Sequence, residues 1–349
     1  MLKNIQWFIG CSGFYYKEWK GKFYPEKLAQ TKWFDYYCEH FNTLELNVTF
    51  YRFPKISFLE NWSNKSPDEF IFSVKAPRLI THYKQFVNTE QQLQEFYETV
   101  KEGLKNKLGC ILFQLPASVE FSDEKLDRII NALDNSFNNV IEFRNISWWN
   151  EKVFAALKKK QIIYCGVSIN KLPGEPLIIG DAIYYRFHGV PKLYYSSYKE
   201  EEIKKIADLI INAKQIKKAF IYFNNTASLA AIENAECLQR YVNYRLALAR
   251  GLNLFLYKKV QNFFMKAKDF EILDQFDQLQ VIEDRAVFLD YRKEGKYSIG
   301  LFQVEGFYIE VFFHVIKLSY KKIQVFDDTL FLDPYINRID ITELCDCRH

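Results

Sequence analysis

The 349-residue chain contains no apolar run approaching the roughly 18 residues that span a bilayer. No membrane crossing is therefore expected. Its start lacks the basic stretch and apolar core of a secretory leader, since Trp7 follows a short polar opening. The seven cysteines are odd in number and form no CxxC pair, which argues against a disulfide framework. A reduced, soluble, cytoplasmic protein is the expectation. The closing Cys345-x-Cys347-x-His349 offers three metal-binding side chains without a fourth, and reads as a frayed terminus rather than a zinc site. Lone glycines such as Gly13 and Gly189 make no GxxxxGK phosphate loop. Net charge is only +4 and no dense Lys/Arg block is present, so nucleic acid is an open but not a favoured partner.

What the chain has in excess is aromatic side chains, 17% of residues, with 32 Phe and 23 Tyr. Much of this must be core, and a surplus can line a ligand cleft. Charge is unevenly spread. Residues 265–349 hold 11 Lys+Arg and 16 Asp+Glu, a balance of −5, which leaves 36 and 27, or +9, in residues 1–264. The longer part would favour an anionic ligand.

The polar residues of that part fall at the downstream ends of short apolar runs. Run 8–11 ends in Ser12, run 44–46 in Asn47 and Thr49, run 70–74 in Lys75, and run 110–113 in Gln114. Run 140–141 leads into Glu142 and Arg144, run 184–185 into Arg186 and His188, and run 220–223 into Asn224 and Asn225. With 162–167 there are eight such runs, starting roughly 30 residues apart, the spacing of a strand plus a crossover helix. Parallel strands covered on both faces read this way. Eight of them make an α/β fold of the (β/α)8 TIM-like type, whose working residues lie at the strands' C-terminal ends.

Helical patterns fall between the runs, at 26–41, 90–104, 122–133, 150–157, 199–211 and 227–241, and 240–259 reads as a closing helix. After Phe264 the character changes, and Met265 stands where a fused second reading frame would start. Two domains follow: a barrel over 1–264 and a small α+β module over 265–349. The module should hold a short helix (270–276), a hairpin of 297–304 and 307–313 about Glu305-Gly306, a further strand at 323–326 and a final helix at 334–344.

Two carboxylates, Glu45 and Glu142, sit on apolar runs where water-facing charge is not expected. Burial raises a carboxyl toward useful general-acid values. Strand alternation puts Glu45 with Asn47, Glu142 with Arg144, and Arg186 with His188 on shared faces. Arginine forks grip carboxylate or phosphate oxygens, and histidine passes protons near neutrality. Lys75 is either a base of lowered pKa or a charge holding an anion. Glu142, Glu45, Lys75 and His188 are thus the catalytic candidates. Ser12, Asn47, Thr49, Tyr51, His82, Gln114, Arg144, Arg186, Asn224 and Asn225 are candidate binding groups. Tyr15, Trp19 and Trp148 offer flat faces to a sugar ring or base. No cofactor is expected. A divalent metal could draw only on His82, His188, Glu45 and Glu142, whose spacing does not support a site. The favoured reading is an acid/base enzyme, isomerase or hydrolase, acting on an anionic or carbohydrate-like small molecule. The alternatives are a phosphodiester-processing enzyme or nucleic-acid binder, a non-catalytic ligand sensor, and a salt-bridge network that merely closes the barrel mouth.

Several ordered motifs resemble those of the YecE-like family, a family without an assigned function. They are Gly10-Cys11-Ser12-Gly13-Phe14, Trp19-Lys20-Gly21-Lys22-Phe23-Tyr24-Pro25, and Glu45-Leu46-Asn47-Val48-Thr49-Phe50-Tyr51-Arg52. Thr81-His82, Glu142-Phe143-Arg144 with Trp148, Arg186-Phe187-His188-Gly189 and Tyr222-Phe223-Asn224-Asn225 follow. The resemblance covers about residues 5–242. It implies a TIM-like barrel loosely related to sugar isomerases of the xylose-isomerase type, and no established reaction. Cys11 stands where many members carry threonine, and Asn145 where many carry histidine.

Overall fold

A computed structural model of the chain describes residues 5–249, 265–273, 275–316 and 319–336. Two compact units divide it, Met1–Ala249 and Arg250–His349. The first carries eight parallel strands: β1 (Gln6–Cys11), β2 (Thr43–Leu46), β3 (Ile71–Lys75), β4 (Leu108–Gln114), β5 (Asn139–Glu142), β6 (Ile163–Ser168), β7 (Ala182–Phe187) and β8 (Lys218–Phe223). Their order is β1-β8-β7-β6-β5-β4-β3-β2, with each neighbouring pair hydrogen-bonded. This is the expected barrel. The helices are α1 (Trp33–His40), α2 (Val48–Tyr51), α3 (Ile56–Lys65), α4 (Glu90–Leu104), α5 (Asp123–Ala132), α6 (Glu151–Lys159), α7 (Glu200–Asn212) and α8 (Ala230–Ala249). Ser122 and Asn150 cap α5 and α6 through their side-chain oxygens.

The sequence pattern misplaced several helices. α1 starts at Trp33, because residues 26–32 are used in turns and a short 3-10 segment. α2 and α3 escape the pattern altogether: α3 buries only Leu59 and Ser63, too narrow a stripe to register as a helical period. The patterns at 227–241 and 240–259 belong to the one helix α8 as far as Ala249, and residues 250–259 lie outside the described residues.

Strand alternation sorts the barrel into layers. Leu112, Val140, Tyr184 and Tyr222 belong to a cluster inside the ring. Residues of the other parity, such as Leu44, Val74, Phe113, Ile141 and Phe223, pack outward under the helices. Thr43 Oγ1 and Ser73 Oγ meet the Tyr222 hydroxyl at 2.7 and 2.8 Å, a hydroxyl layer in the lumen. Two residues further along the same strands come Glu45, Lys75, Gln114, Glu142 and Arg186. The period of two therefore stacks an ionisable layer directly above a neutral one.

The second unit is described by itself. It holds strands β9 (Val287–Glu294), β10 (Tyr297–Val304), β11 (Phe307–His314) and β12 (Ser319–Phe326) in an antiparallel sheet of order β12-β11-β10-β9. The expected hairpin is present, with Val304 paired to Phe307 across Glu305-Gly306. β9 was not anticipated. Its face is largely exposed, so it lacks the half-buried alternation that marks a strand. Helices Ala267–Glu271 and Gln275–Arg285 replace the single short helix expected near 270–276. Met265, Phe270, Val281, Phe307 and Ile309 form this unit's core. Of the final helix only Asp333–Ile336 is described; the rest, and the Cys345, Cys347 and His349 tail, lie outside the described residues.

The ring closes between β1 and β2 without a backbone ladder. Tyr37, on α1, puts its hydroxyl between them: it accepts from Cys11 N–H at 2.8 Å and donates to Thr43 C=O at 3.0 Å. The Asn42 amide makes a second stitch, accepting from Ile9 N–H and donating to Trp7 C=O. The strands approach so closely that a Cβ on Gly10 would lie 2.3 Å from Thr43 O. Tyr37→Phe leaves a buried N–H and a buried C=O without partners, each worth about 1–3 kcal/mol. Denaturant unfolding should show a stability loss of that order with an unchanged denaturant slope. Wild-type stability in the variant would show that the seam does not depend on the hydroxyl.

Candidate functional site

The ionisable layer is organised by Arg186, which is 1% exposed. Its Nη2 donates to Glu45 Oε1 and its Nη1 to Glu142 Oε2, both at 2.7 Å. One guanidinium from β7 thus ties β2 to β5 across the lumen. Glu45 also accepts from Ser12 Oγ (2.6 Å) and from the Tyr184 hydroxyl (2.5 Å). Glu142 pairs further with Arg144 Nε, and Cys165 Sγ lies 3.8 Å from its Oε2. Burial alone would push the Glu142 carboxyl up, but Arg144 and Arg186 outweigh it and hold the group well below the ordinary carboxylate range. Glu142 is therefore an ionised, fully buried counter-ion. The raised, acid-like carboxyl expected from the sequence is not what the geometry provides, because two guanidinium groups came with it.

His188 follows β7 and is fully buried. Its Nε2 lies 3.2 Å from Arg144 Nη2 and 3.5 Å from Arg186 Nη1. A guanidinium only donates, so Nε2 accepts and the ring proton sits on Nδ1. Nδ1 meets the Asn224 amide at 2.9 Å, whose oxygen end is the one suited to accept that proton. Burial, Arg144 and Arg186 pull the imidazole down to about 3. It is neutral at physiological pH, so the shuttle near neutrality expected from sequence is not supported.

Lys75 closes β3 and is built differently. Its Nζ donates to Gln114 Oε1 at 2.8 Å and lies 4.1 Å from the Phe50 ring centroid. Among the described residues no carboxylate pairs with it. Burial and the charge of Arg186 bring its amine down to about 7, against the opposing pull of Glu142 and Glu45. Thr49 Oγ1 donates to the Lys75 carbonyl at 2.6 Å, clamping α2 on the end of β3. His82 lies edge-on to Phe50 and is pulled down to about 4 by burial and by Lys75. The Asn47 Oδ1 and Arg186 Nε atoms are buried without a partner among the described residues.

Nine of the residues read from the sequence thus stand together: Ser12, Glu45, Lys75, Gln114, Glu142, Arg144, Arg186, His188 and Asn224. Others do not join them. Trp19 is buried and spends its indole N–H on Ser228 C=O, pinning its loop to the chain before α8. Trp148 stacks on Phe143 at 4.0 Å and donates to Val119 C=O. Neither offers a ring face to a ligand. Tyr15 bonds Gln30 and leans on Trp33. Asn225 is buried, donating to Ser196 C=O and Asn234 Oδ1. Tyr51 lies exposed on the rim, where Arg78 stacks between it and Tyr83 at 5.7 and 5.4 Å. Sequence reasoning missed Tyr184, Cys165 and Phe50. Tyr184 had a signal, since it precedes Arg186 by two on one strand. Among the described residues no group of three His, Cys, Asp or Glu side chains is placed to hold a metal ion, and no helix is long and apolar enough to cross a membrane.

Fold and cluster together define a (β/α)8-barrel protein with an ionisable centre at the C-terminal ends of its strands. The chain belongs to the family described as protein of unknown function DUF72, which matches residues 8–252. It is 25% identical to the UPF0759 protein YunF of Bacillus subtilis (strain 168) over 272 residues, 66% of this chain and 95% of YunF. It is 31% identical to the UPF0759 protein YecE of Escherichia coli (strain K12) over 112 residues, 31% of this chain and 40% of YecE. The crystal structure of a DUF72 family protein from Thermotoga maritima superposes with a TM-score of 0.62 at 28% identity, covering 67% of this chain and 98% of that one. A second, from Enterococcus faecalis, gives 0.59 at 19% identity, covering 68% and 96%. The motif resemblance to the YecE-like family is borne out, and no reaction comes with it.

Replacing Glu142 by Gln removes one partner of a buried ion pair, a change that costs about 3–5 kcal/mol. Guanidinium unfolding should show that loss; a variant as stable as the wild type would mean that the cluster does not hold the ring. Acid stability has a matching signature. His188 is depressed from 6.5 to about 3 and Glu142 from 4.5 to a lower value. The stability they contribute is complete above pH 6.5 and is lost as pH falls, first below 6.5 as the unfolded chain's His188 takes a proton that the folded ring refuses, then below 4.5 as its Glu142 does the same. His188→Gln should flatten the upper part of that decline in unfolding midpoints measured from pH 7 to pH 4.

Proposed function

We propose that the barrel is an acid/base enzyme acting on an anionic, hydroxyl-bearing small molecule of the sugar or sugar-phosphate kind, and that Lys75 is its base. The carrying observation is the contrast within the ionisable layer. Glu45 and Glu142 are saturated by Arg186, Arg144, Ser12 and Tyr184, whereas Lys75 has a neutral amide as its hydrogen-bond partner. A base titrating near the working pH is the efficient one, and Lys75 at about 7 meets that condition. The partly exposed Arg144 is the cation best placed for a substrate anion, with Gln114 and Asn224 as amides for hydroxyls.

This division of labour favours isomerisation over hydrolysis. Glycoside hydrolysis uses two carboxyl groups, one donating a proton and one attacking or activating water. Here both carboxylates are locked in ion pairs. Proton transfer at a carbon beside a carbonyl needs one base and a cation near the developing oxyanion. A relation to sugar isomerases would accord with this reading.

The rim supports a second reading. Arg78 between Tyr51 and Tyr83 is a pairing that also suits a base and a phosphate of a nucleic acid strand. Electrostatic binding of a labelled oligonucleotide that weakens steeply with salt would favour it; no binding at low salt removes it.

The isomerase reading is tested by proton NMR in deuterium oxide, with a panel of aldose and ketose phosphates. A substrate should lose the signal of the hydrogen beside its carbonyl. The rate should fall as pH drops below about 7, where Lys75 gains its proton, and Lys75→Met should abolish it. The same variant should unfold at a higher midpoint near pH 7, since it no longer buries an amine that must stay partly uncharged, a gain of about 1 kcal/mol. Exchange unaffected by Lys75→Met would defeat the assignment.

A further inference from the structure

Among the described residues two lysines of the barrel are buried, and they are built in opposite ways. Lys107 is 7% exposed, and its Nζ donates to Ser63 C=O (2.7 Å), Ser66 C=O (2.8 Å) and Ser66 Oγ (3.1 Å). An ammonium has three hydrogens to place, and Lys107 places all of them. It is a structural cation that ties the end of α3 to the start of β4. Lys75 is 9% exposed and donates to one oxygen, that of Gln114. Its other neighbour is the face of Phe50. Among the described residues it has no carboxylate partner, and its carbonyl is clamped by Thr49. A lysine held rigidly, shielded from water and given one neutral acceptor is poorly provided for as an ammonium. It is well provided for as an amine with a lone pair to use.

From this arrangement we infer that Lys75 is a nucleophile that captures the carbonyl carbon of an aldehyde or ketone bearing an anionic group, forming an imine at the end of β3. The inference deepens the isomerase reading, on which its substrate class rests, by replacing simple proton abstraction with covalent activation. The amine nitrogen attacks the carbonyl carbon, and a C–N bond forms as the C=O π bond opens to a carbinolamine. The carbonyl oxygen then departs with the two amine hydrogens as water, and uptake of one proton gives the iminium. No oxidant or reductant is consumed. The new cation takes the position of the ammonium, where Glu142 and Glu45 favour its charge and burial and Arg186 oppose it. Arg144, beside Glu142 and His188, is the cation available to the substrate's anionic group. The iminium withdraws electrons from the adjacent carbon, which eases loss of its proton to a solvent water, the nitrogen having no lone pair left to take it; hydrolysis of the rearranged imine then returns the amine.

The test is trapping with borohydride, which delivers hydride to an iminium carbon and fixes it as a secondary amine. The full-length protein is incubated separately with dihydroxyacetone phosphate, glyceraldehyde 3-phosphate, pyruvate and uncharged glyceraldehyde, reduced, digested and mapped by mass spectrometry. At pH 7 an amine with a pKa of about 7 has a free-base fraction about a thousandfold larger than an ordinary lysine. Lys75 should therefore be modified first and near stoichiometrically by an anionic probe, and less by glyceraldehyde. Lys107 should stay unmodified in the same digest. Lys75→Arg keeps a cation but cannot form an imine, and should lose the adduct while melting cooperatively; Lys75→Met, with its fold checked by circular dichroism, should lose it as well. Adducts confined to surface lysines, or none on Lys75 with any probe, overturn the imine. If deuterium exchange still depends on Lys75 in that case, the residue is a base without being a nucleophile, and the isomerase reading survives. If exchange is independent of Lys75 while the adduct forms, that reading fails and the covalent site stands.

Discussion

A single guanidinium holds the working end of this barrel together. Arg186 lies across the lumen and takes one carboxylate from β2 and another from β5. Taking a charge so deep from water costs several kcal/mol, and mutual attraction recovers it only where geometry is good and the remaining lone pairs are used. Those lone pairs are used. Ser12 and Tyr184 complete Glu45, and Arg144 completes Glu142. The layer below is neutral and hydroxyl-bearing rather than greasy, with Thr43 and Ser73 on the Tyr222 hydroxyl. The polar mouth thus grades into the packed interior without an abrupt step in polarity. This matters most at the β1–β2 seam, where side chains stand in for the backbone ladder and Ser12 and Glu45 add a further link.

The same saturation sorts the chemistry. Two carboxylates and two arginines of one network cancel, so the network supplies little net charge and no raised carboxyl. It does supply a field. It adds to burial: burial first, then Arg144 and Arg186, lower the imidazole of His188, and burial, then Arg186, lowers the amine of Lys75. Lys75, a full cation in water near neutrality, is thereby held only partly charged, and His188 is held neutral, at the mouth of the barrel. The proposed anionic substrate would meet the Arg144 guanidinium and an amine with a lone pair, the combination that carbonyl chemistry requires.

Much of this was legible in the linear pattern. The eight apolar runs became the eight strands, and the residues ending them converge at one mouth. The hairpin of the second unit was read to within a residue. Other features were hidden for definite reasons. α3 shows too narrow an apolar stripe, and β9 too exposed a face, to carry a period. Trp19 and Trp148 stand in loops and look like ligand walls, yet each indole is consumed by a backbone carbonyl from a distant segment. Lys75 was singled out because it ends β3 while Lys107 precedes β4, but nothing local shows that Lys107 is saturated by three oxygens and Lys75 bonded to one amide.

The sequence by itself determined the strands, their spacing, and which side chains face the lumen, because a period of two is a local property of the backbone. It also determined that acids, bases and amides share the strands' downstream ends. Only the tertiary structure decided which of them neutralise one another. Glu45, Glu142 and Arg186 are separated in the chain by 97 and 44 residues, and ring closure alone brings them within 2.7 Å. A side chain's protonation state follows from those neighbours and from burial, both of which are products of packing. That is why the residue types could be read in advance and their roles could not.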